Sequence, residues 1–250
     1  MTTWVLLRGL MRERRHWGAF PDLLAASLPA GTTVLTPDLP GNGSLFDRDS
    51  PVSIAAMVAF CRAQLREQGH APPYHVCALS LGGMVAVEWS ARHPDEIAAA
   101  VLINTSMRPF SPFYRRLRWQ NYGQLARLLC CAPPRQEALV WRLTSAMAAG
   151  GPGLLAEWLR YRREHPVTRR NALRQLLAAA RYRAPRQRPA PPLLVLAGAG
   201  DRLVDPRCSL ALADAWQAGR AVHRLAGHDL PLDDGRWVVS QIGAWLAESG

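Results

Sequence analysis

Residues 74–83, Tyr-His-Val-Cys-Ala-Leu-Ser-Leu-Gly-Gly, constrain the fold more than any other segment. An apolar run from Tyr74 to Leu79 stops abruptly at Ser80. Leu81, Gly82 and Gly83 then lead into an amphipathic stretch from about Met84 to His93. A strand that turns straight into a helix must hold its corner residue in a strained conformation, so its neighbours must be small. Such a corner lifts the serine hydroxyl clear of the sheet edge and aims nearby backbone N–H groups at whatever that oxygen attacks. The competing reading is a plain Ser-Gly-Gly turn without chemistry.

The rest of the chain repeats the strand-then-helix rhythm. Thr3–Leu7 and Thr32–Leu35 read as short strands. Ile97–Ile103, Pro191–Ala197 and Ala221–Leu225 read as further strands. Helical spacing is expected over 17–28, 53–68, 210–216 and 237–247. This alternation predicts an α/β fold: a mostly parallel sheet of about six strands with helices on both faces. Function in such sheets gathers at the carboxyl ends of the strands.

Between Thr105 and Pro189 the strand pattern vanishes. Helices are expected at about 111–131, 134–148, 152–164 and 168–183, closed by a Pro-rich joint at 185–192. We read 107–188 as an inserted four-helix cap, with 1–106 and 189–250 forming the core. The charge follows the same division. The chain has thirty basic residues, all arginine, against nineteen acids. Residues 107–188 hold seventeen arginines and three acids, a balance of +14. The basic character therefore belongs to the insert and not to the whole molecule. Tyr114, Trp119, Trp141, Trp158 and Tyr161 are interleaved with these arginines, but at spacings that build a helical core. Nucleic-acid binding is a poorer account of the charge.

A serine hydroxyl needs a base to take its proton, and the base needs a group that holds it in one tautomer. Of seven histidines, only His228 sits in a loop directly after a terminal strand. His16, His70, His75, His93, His165 and His223 precede, flank or alternate within elements, where structural service is expected. Asp201 follows Gly198-Ala199-Gly200 at another strand end, while Asp205, before Pro206, is placed to cap the next helix. Ser80, Asp201 and His228 thus fall at three expected positions, each beyond a strand.

These pieces resemble the α/β-hydrolase superfamily over essentially the whole chain. The resemblance is carried by the elbow at Ser80, the Asp-Leu-Pro-Gly-Asn-Gly loop at 38–43, the Gly-Asp-Arg-Leu-Val-Asp-Pro loop at 200–206, and Gly227-His228. It implies a catalytic Ser80–Asp201–His228 triad with no metal or organic cofactor. It also implies an oxyanion hole formed by the backbone N–H groups of Leu10 and Leu81. Two departures stand out: Ala78 replaces the first glycine of Gly-x-Ser-x-Gly, and Arg8 stands where the oxyanion loop usually has histidine. Arg8 and Met11 become candidate substrate contacts, although a structural ion pair would equally employ Arg8. The first strand is expected to open the sheet without the leading antiparallel hairpin of many relatives, which gives about six strands.

Within the superfamily, layout and insert basicity are similar to small carboxylesterases, distantly to those that demethylate pimeloyl esters on acyl carrier protein. That resemblance implies a serine hydrolase that cleaves a carboxylic ester through an acyl-enzyme, with an acidic carrier protein as a candidate partner at the basic cap. An acyl-carrier or coenzyme-A thioesterase and a non-catalytic hydrolase-like binder remain alternatives. Haloalkane and epoxide chemistry would need a carboxylate at position 80. No apolar run approaches the roughly 20 residues of a membrane span. The Trp4–Leu7 segment is too short for a signal core. Five cysteines without metal-ligand spacing argue against a disulfide scaffold or zinc site. We expect a cytoplasmic protein, with Cys77 a core residue and Cys130 and Cys131 packed in a helix.

Overall fold

The computed structural model describes residues 2–128, 131–147 and 151–249. Its six strands are β1 (Thr3–Leu7), β2 (Thr33–Leu35), β3 (Tyr74–Leu79), β4 (Ile97–Ile103), β5 (Leu193–Gly198) and β6 (Gly219–His223). They form one sheet in the order β2-β1-β3-β4-β5-β6, and every neighbouring pair is parallel. The expected six-strand α/β sheet is the observed one. Helices α1 (Phe20–Ser27), α2 (Ile54–Glu67) and α3 (Leu81–Arg92) follow the first three strands. Five more lie between β4 and β5: α4 (Phe113–Arg116), α5 (Tyr122–Leu128), α6 (Pro133–Thr144), α7 (Gly151–Glu164) and α8 (Arg169–Arg181). Then α9 (Arg207–Trp216) and α10 (Leu230–Ser249) close the chain. No helix among the described residues is long and apolar enough to cross a membrane.

The central strands read as unbroken apolar runs because both their faces are buried. Val5, Leu7, Val76, Ala78, Ala100 and Leu102 pack with residues of α2, α3 and α9. Their neighbours Trp4, Leu6, Cys77, Leu79, Val101 and Ile103 pack with α1 and α10 on the other side. Alternate residues thus feed two separate cores, the arrangement parallel sheets require. Cys77 is fully buried in the second core, and burial pushes its thiol well up, so it acts as a small core residue.

Three departures from the expected elements have local causes. The helix expected at 17–28 starts at Phe20, because Gly18 takes φ +54° after a 3₁₀ turn at Arg14–Trp17. The helix expected at 111–131 is broken into α4, a 3₁₀ turn at Trp119–Asn121 and α5. Leu117 is extended there, since the Arg118 N–H donates to the Leu203 carbonyl and the Asn121 amide to that of Arg202. The loop after β5 takes the Arg118 N–H from the helix, and the Asn121 side-chain amide ties the break to the same loop. Finally, α6 ends at Thr144 rather than 148, because Ser145 is extended and binds Asp233. Residue 148 lies outside the described residues, as does Cys130. Cys131 precedes α6 instead of lying within a helix.

Candidate active site

The sheet order reverses at β1, which has β2 on one side and β3 on the other. The loops leaving the carboxyl ends of β1 and β3 therefore diverge and open a crevice. Ser80 sits at that edge with φ +56° and ψ −113°, a conformation that costs a side-chain-bearing residue about 1–3 kcal/mol. Its surroundings hold it there. The Ser80 N–H donates to the Ile103 carbonyl at 2.9 Å, and the Thr105 hydroxyl donates to the Ser80 carbonyl at 2.9 Å. Helix α3 starts at the very next residue, three positions earlier than its spacing suggested. Gly82 permits this: a Cβ there would lie 2.3 Å from the Leu7 carbonyl oxygen of β1. Ala78 is fully buried opposite Leu7, so a methyl group is accommodated where glycine is usual.

Asp201 and His228 arrive in the loops that follow β5 and β6. The His228 Nδ1 lies 2.7 Å from Asp201 Oδ2, and both residues are buried. The other Asp201 oxygen accepts the N–H groups of Leu203 and Val204 at 2.8 and 2.9 Å, which fixes the carboxylate plane. The His228 loop is also held by Asn104 at the end of β4. The Asn104 amide donates to the Gly227 and His228 carbonyls at 2.9 and 2.8 Å, while its oxygen accepts the Gly198 N–H. Asp205 accepts the N–H of Arg207, the first residue of α9, as a capping carboxylate does.

The loop after β1 runs beside Ser80. A Cβ on Gly9 would lie 3.2 Å from the Ser80 Cβ. Leu10 follows in a turn closed by the Arg12 N–H on the Gly9 carbonyl. Leu81 opens α3, so its N–H has no acceptor within the helix. Of the two uses weighed for Arg8, the structure shows the ion pair. Its guanidinium donates to both oxygens of Asp229 at 3.1 and 2.6 Å, with both side chains 5% exposed, and it stacks 4.7 Å from the Trp17 ring. Met11 borders the crevice, but its backbone N–H is bound by Gln175 of α8 at 2.9 Å.

Over this edge lies a cavity of about 430 Å³. Ser80 and His228 open into it beneath an apolar wall of Leu117, Leu125, Val140, Leu143, Leu173 and Leu176. Leu173 and Leu176 are exposed on α8 because they face this space and not the core. The segment after α6 is tied to the loop after β6 and to the start of α10 around the rim. The Asp229 N–H donates to the Thr144 carbonyl at 2.7 Å, and Asp233 accepts from Ser145, Ala146 and Gly227.

One end of the cavity is polar, and the spacing of motifs gave no hint of it. Arg12 and Arg162 both donate to Glu137 of α6, at 2.7 and 3.1 Å. Burial alone would raise the Glu137 carboxyl, but the two cations override it and hold it below the usual carboxylate range. His16, expected in a structural role, also borders the cavity. Burial, with Arg12 and Arg8 nearby, lowers its imidazole well below the usual range, so it is neutral at pH 7. Gln175 and Asn171 were legible only as polar residues on the same face of α8 as Ala172 and Ala178.

Comparisons with known proteins agree with this architecture. A family model described as "Alpha/beta hydrolase family" matches residues 4–241. Two curated relatives are named "Pimeloyl-[acyl-carrier protein] methyl ester esterase". The one from Aromatoleum aromaticum is 40% identical over 93 residues, covering 36% of this chain and 34% of the relative. The one from Chromobacterium violaceum is 33% identical over 112 residues, covering 42% and 37%. The matches thus span about a third of the length of these relatives. Among solved structures, a thermophilic esterase from Thermogutta terrifontis superposes with a TM-score of 0.73 at 20% identity, over 99% of this chain and 90% of that one. A 2-hydroxy-6-oxo-6-phenylhexa-2,4-dienoate hydrolase from Rhodococcus sp. gives 0.74 at 20% identity, over 99% and 89%. The parallel sheet, the serine corner on β3 and a family match spanning nearly the whole chain lead to one conclusion: the chain belongs to the alpha/beta hydrolase family.

Proposed function

We propose that this hydrolase is a serine carboxylesterase that works through an acyl-enzyme on Ser80. The observation that carries the reading is the His228–Asp201 hydrogen bond at 2.7 Å, with His228 and Ser80 opening into one cavity that has an apolar wall. His228 takes the Ser80 proton as the hydroxyl attacks an ester carbonyl. Asp201 stabilises the imidazolium that forms, and the N–H groups of Leu10 and Leu81 receive the oxyanion. Collapse of the tetrahedral adduct expels the alcohol, which takes its proton from His228. Water, activated by the same base, then releases the acid. Residues 107–188 serve as a cap on the core of 1–106 and 189–250. The leucine-lined wall suits an acyl chain.

The +14 balance of residues 107–188 supports an acidic acyl carrier protein as the donor of that chain, as do the names of the two curated relatives. Phe113, Tyr114 and Trp119 lie exposed among these arginines and offer contact area beside the charge. A thioester of the same carrier is the second reading, since the same groups would attack it. A cytoplasmic setting, where Cys61, Cys77, Cys131 and Cys208 stay reduced, fits a carrier-borne substrate.

Hydrolysis of p-nitrophenyl esters from two to twelve carbons, before and after Ser80→Ala, tests the central claim. We expect Ser80→Ala to abolish turnover and fluorophosphonate labelling; full activity in that variant refutes the mechanism. Matched oxygen esters and thioesters separate the two readings. On a carrier-linked ester, kcat/KM should fall as salt rises from 50 to 500 mM, because exposed charge pairing is screened. Salt-insensitive kinetics would remove the carrier from the proposal.

A further inference from the structure

We propose that Gln175, on insert helix α8, is a positioning residue for the oxyanion loop, so that the insert sets the geometry of the hole as well as covering it. The proposal rests on the reading of Leu10 as an oxyanion donor. Gln175 is completely buried. A neutral amide in that position is costly unless its donors and acceptor are all used. They are: Oε1 accepts the Met11 N–H at 2.9 Å, and Nε2 donates to Asn42 Oδ1 at 2.8 Å and Ser50 Oγ at 3.0 Å. The amide cannot be turned over without loss. The Ser50 hydroxyl already spends its hydrogen on the Pro40 carbonyl, so it needs a donor from Gln175. Asn171, one turn earlier on α8, grips the same core loop by accepting the Ser50 N–H and donating to the Arg48 carbonyl, each at 2.9 Å.

What Gln175 holds is a strained tip. Met11 has φ +56°, a left-handed conformation that a residue with a side chain adopts only when its surroundings impose it. The preceding peptide carries Leu10, and Gly9 before it is pressed against Ser80. Within the loop itself, the closing bond from Arg12 to Gly9 is long, at 3.3 Å. The bond from the insert is therefore the firmer anchor on the tip. An oxyanion donor must sit about 2.7–3.1 Å from the developing charge, and a misplacement near 1 Å can cost roughly 100-fold in rate. Losing the Gln175 acceptor would let the tip relax out of its left-handed turn and carry the Leu10 N–H off line.

The test uses Gln175→Leu and Gln175→Met, which lack the acceptor at similar bulk. Active sites are first counted by fluorophosphonate, so that each rate is per labelled site. On a short p-nitrophenyl ester we expect kcat of the Leu and Met variants to fall about 10–100-fold, with KM within about threefold. The inhibition constant of a trifluoromethyl ketone, whose hemiketal oxygen occupies the hole, should rise by the same factor. The pH profile of kcat/KM should stay in place, because His228 is untouched. A merely structural role would lower the count of active sites and leave kcat per site unchanged. That result, in whichever of the Leu and Met variants folds, overturns the proposal. So does an unchanged inhibition constant. Turnover that survives Ser80→Ala sinks the parent reading instead, and that control is run first.

Discussion

Replacing Arg8 with methionine should strand the Asp229 carboxylate in the interior, and the size of the effect follows from the geometry. The pair makes two charge-assisted bonds at 3.1 and 2.6 Å, with each side chain 5% exposed. At an effective dielectric near 20, unit charges 4 Å apart attract by about 4 kcal/mol. Removing each ion from water costs several kcal/mol, so the intact pair contributes little net stability. Removing one partner is different, because the desolvation cost of the other stays uncompensated. The expected loss is about 3–5 kcal/mol, including the contact of Arg8 with Trp17. For a chain of this length, that corresponds to a melting temperature lower by about 6–20 °C. Urea unfolding followed by tryptophan fluorescence, with m-values compared, measures it. The double variant Arg8→Met/Asp229→Leu should recover most of the stability, since an apolar pair needs no counter-ion. A single-variant loss below about 1 kcal/mol, or a double variant as unstable as the two single losses summed, would refute the reasoning.

Three further outcomes are expected. Asp201→Asn keeps the shape of the site but favours the wrong His228 tautomer, so kcat on p-nitrophenyl acetate should fall about 10³–10⁴-fold with the melting temperature little changed. Gly82→Ala drives a methyl group to 2.3 Å from the Leu7 carbonyl oxygen, so α3 must move off β1; thermal melting and ester turnover should both drop, and an unchanged kcat would contradict the close approach. Hydrogen bonds from Arg62, opposed by burial and aided by Trp89 and Arg66, hold the Glu96 carboxyl down at about 2. Because that value lies below the unfolded one, the stabilisation is complete above about pH 4.5 and is lost as pH falls towards 2. Glu96→Gln should therefore cost about 1–3 kcal/mol at pH 7 and almost nothing near pH 2, as read by urea titrations at several pH values.

Much of the architecture was readable along the chain, because strands, corners and caps depend on residues a few positions apart. The run ending at Leu79 stops where its apolar pattern stops, and β4 occupies the very residues its composition marks out. A helix is legible only while nothing outside it claims its backbone, and the stretch at 111–131 fails on that count. The Leu203 carbonyl, more than eighty positions away, takes the Arg118 N–H, and the Asn121 side chain is drawn to the neighbouring Arg202 carbonyl. The supports of the candidate site have the same origin. Arg8 meets Asp229 across 221 positions, Arg12 meets Glu137 across 125, and the Met11 N–H meets Gln175 across 164. No local pattern encodes such pairings. They exist because parallel strands return these loops to one edge, and helices between β4 and β5 lie over it. Pattern and spacing led to Ser80, Asp201 and His228 as candidates and to a basic insert. That Arg8 is occupied by Asp229, and that Gln175 reaches the oxyanion loop, became visible only once burial forced each charge and amide to find its partner.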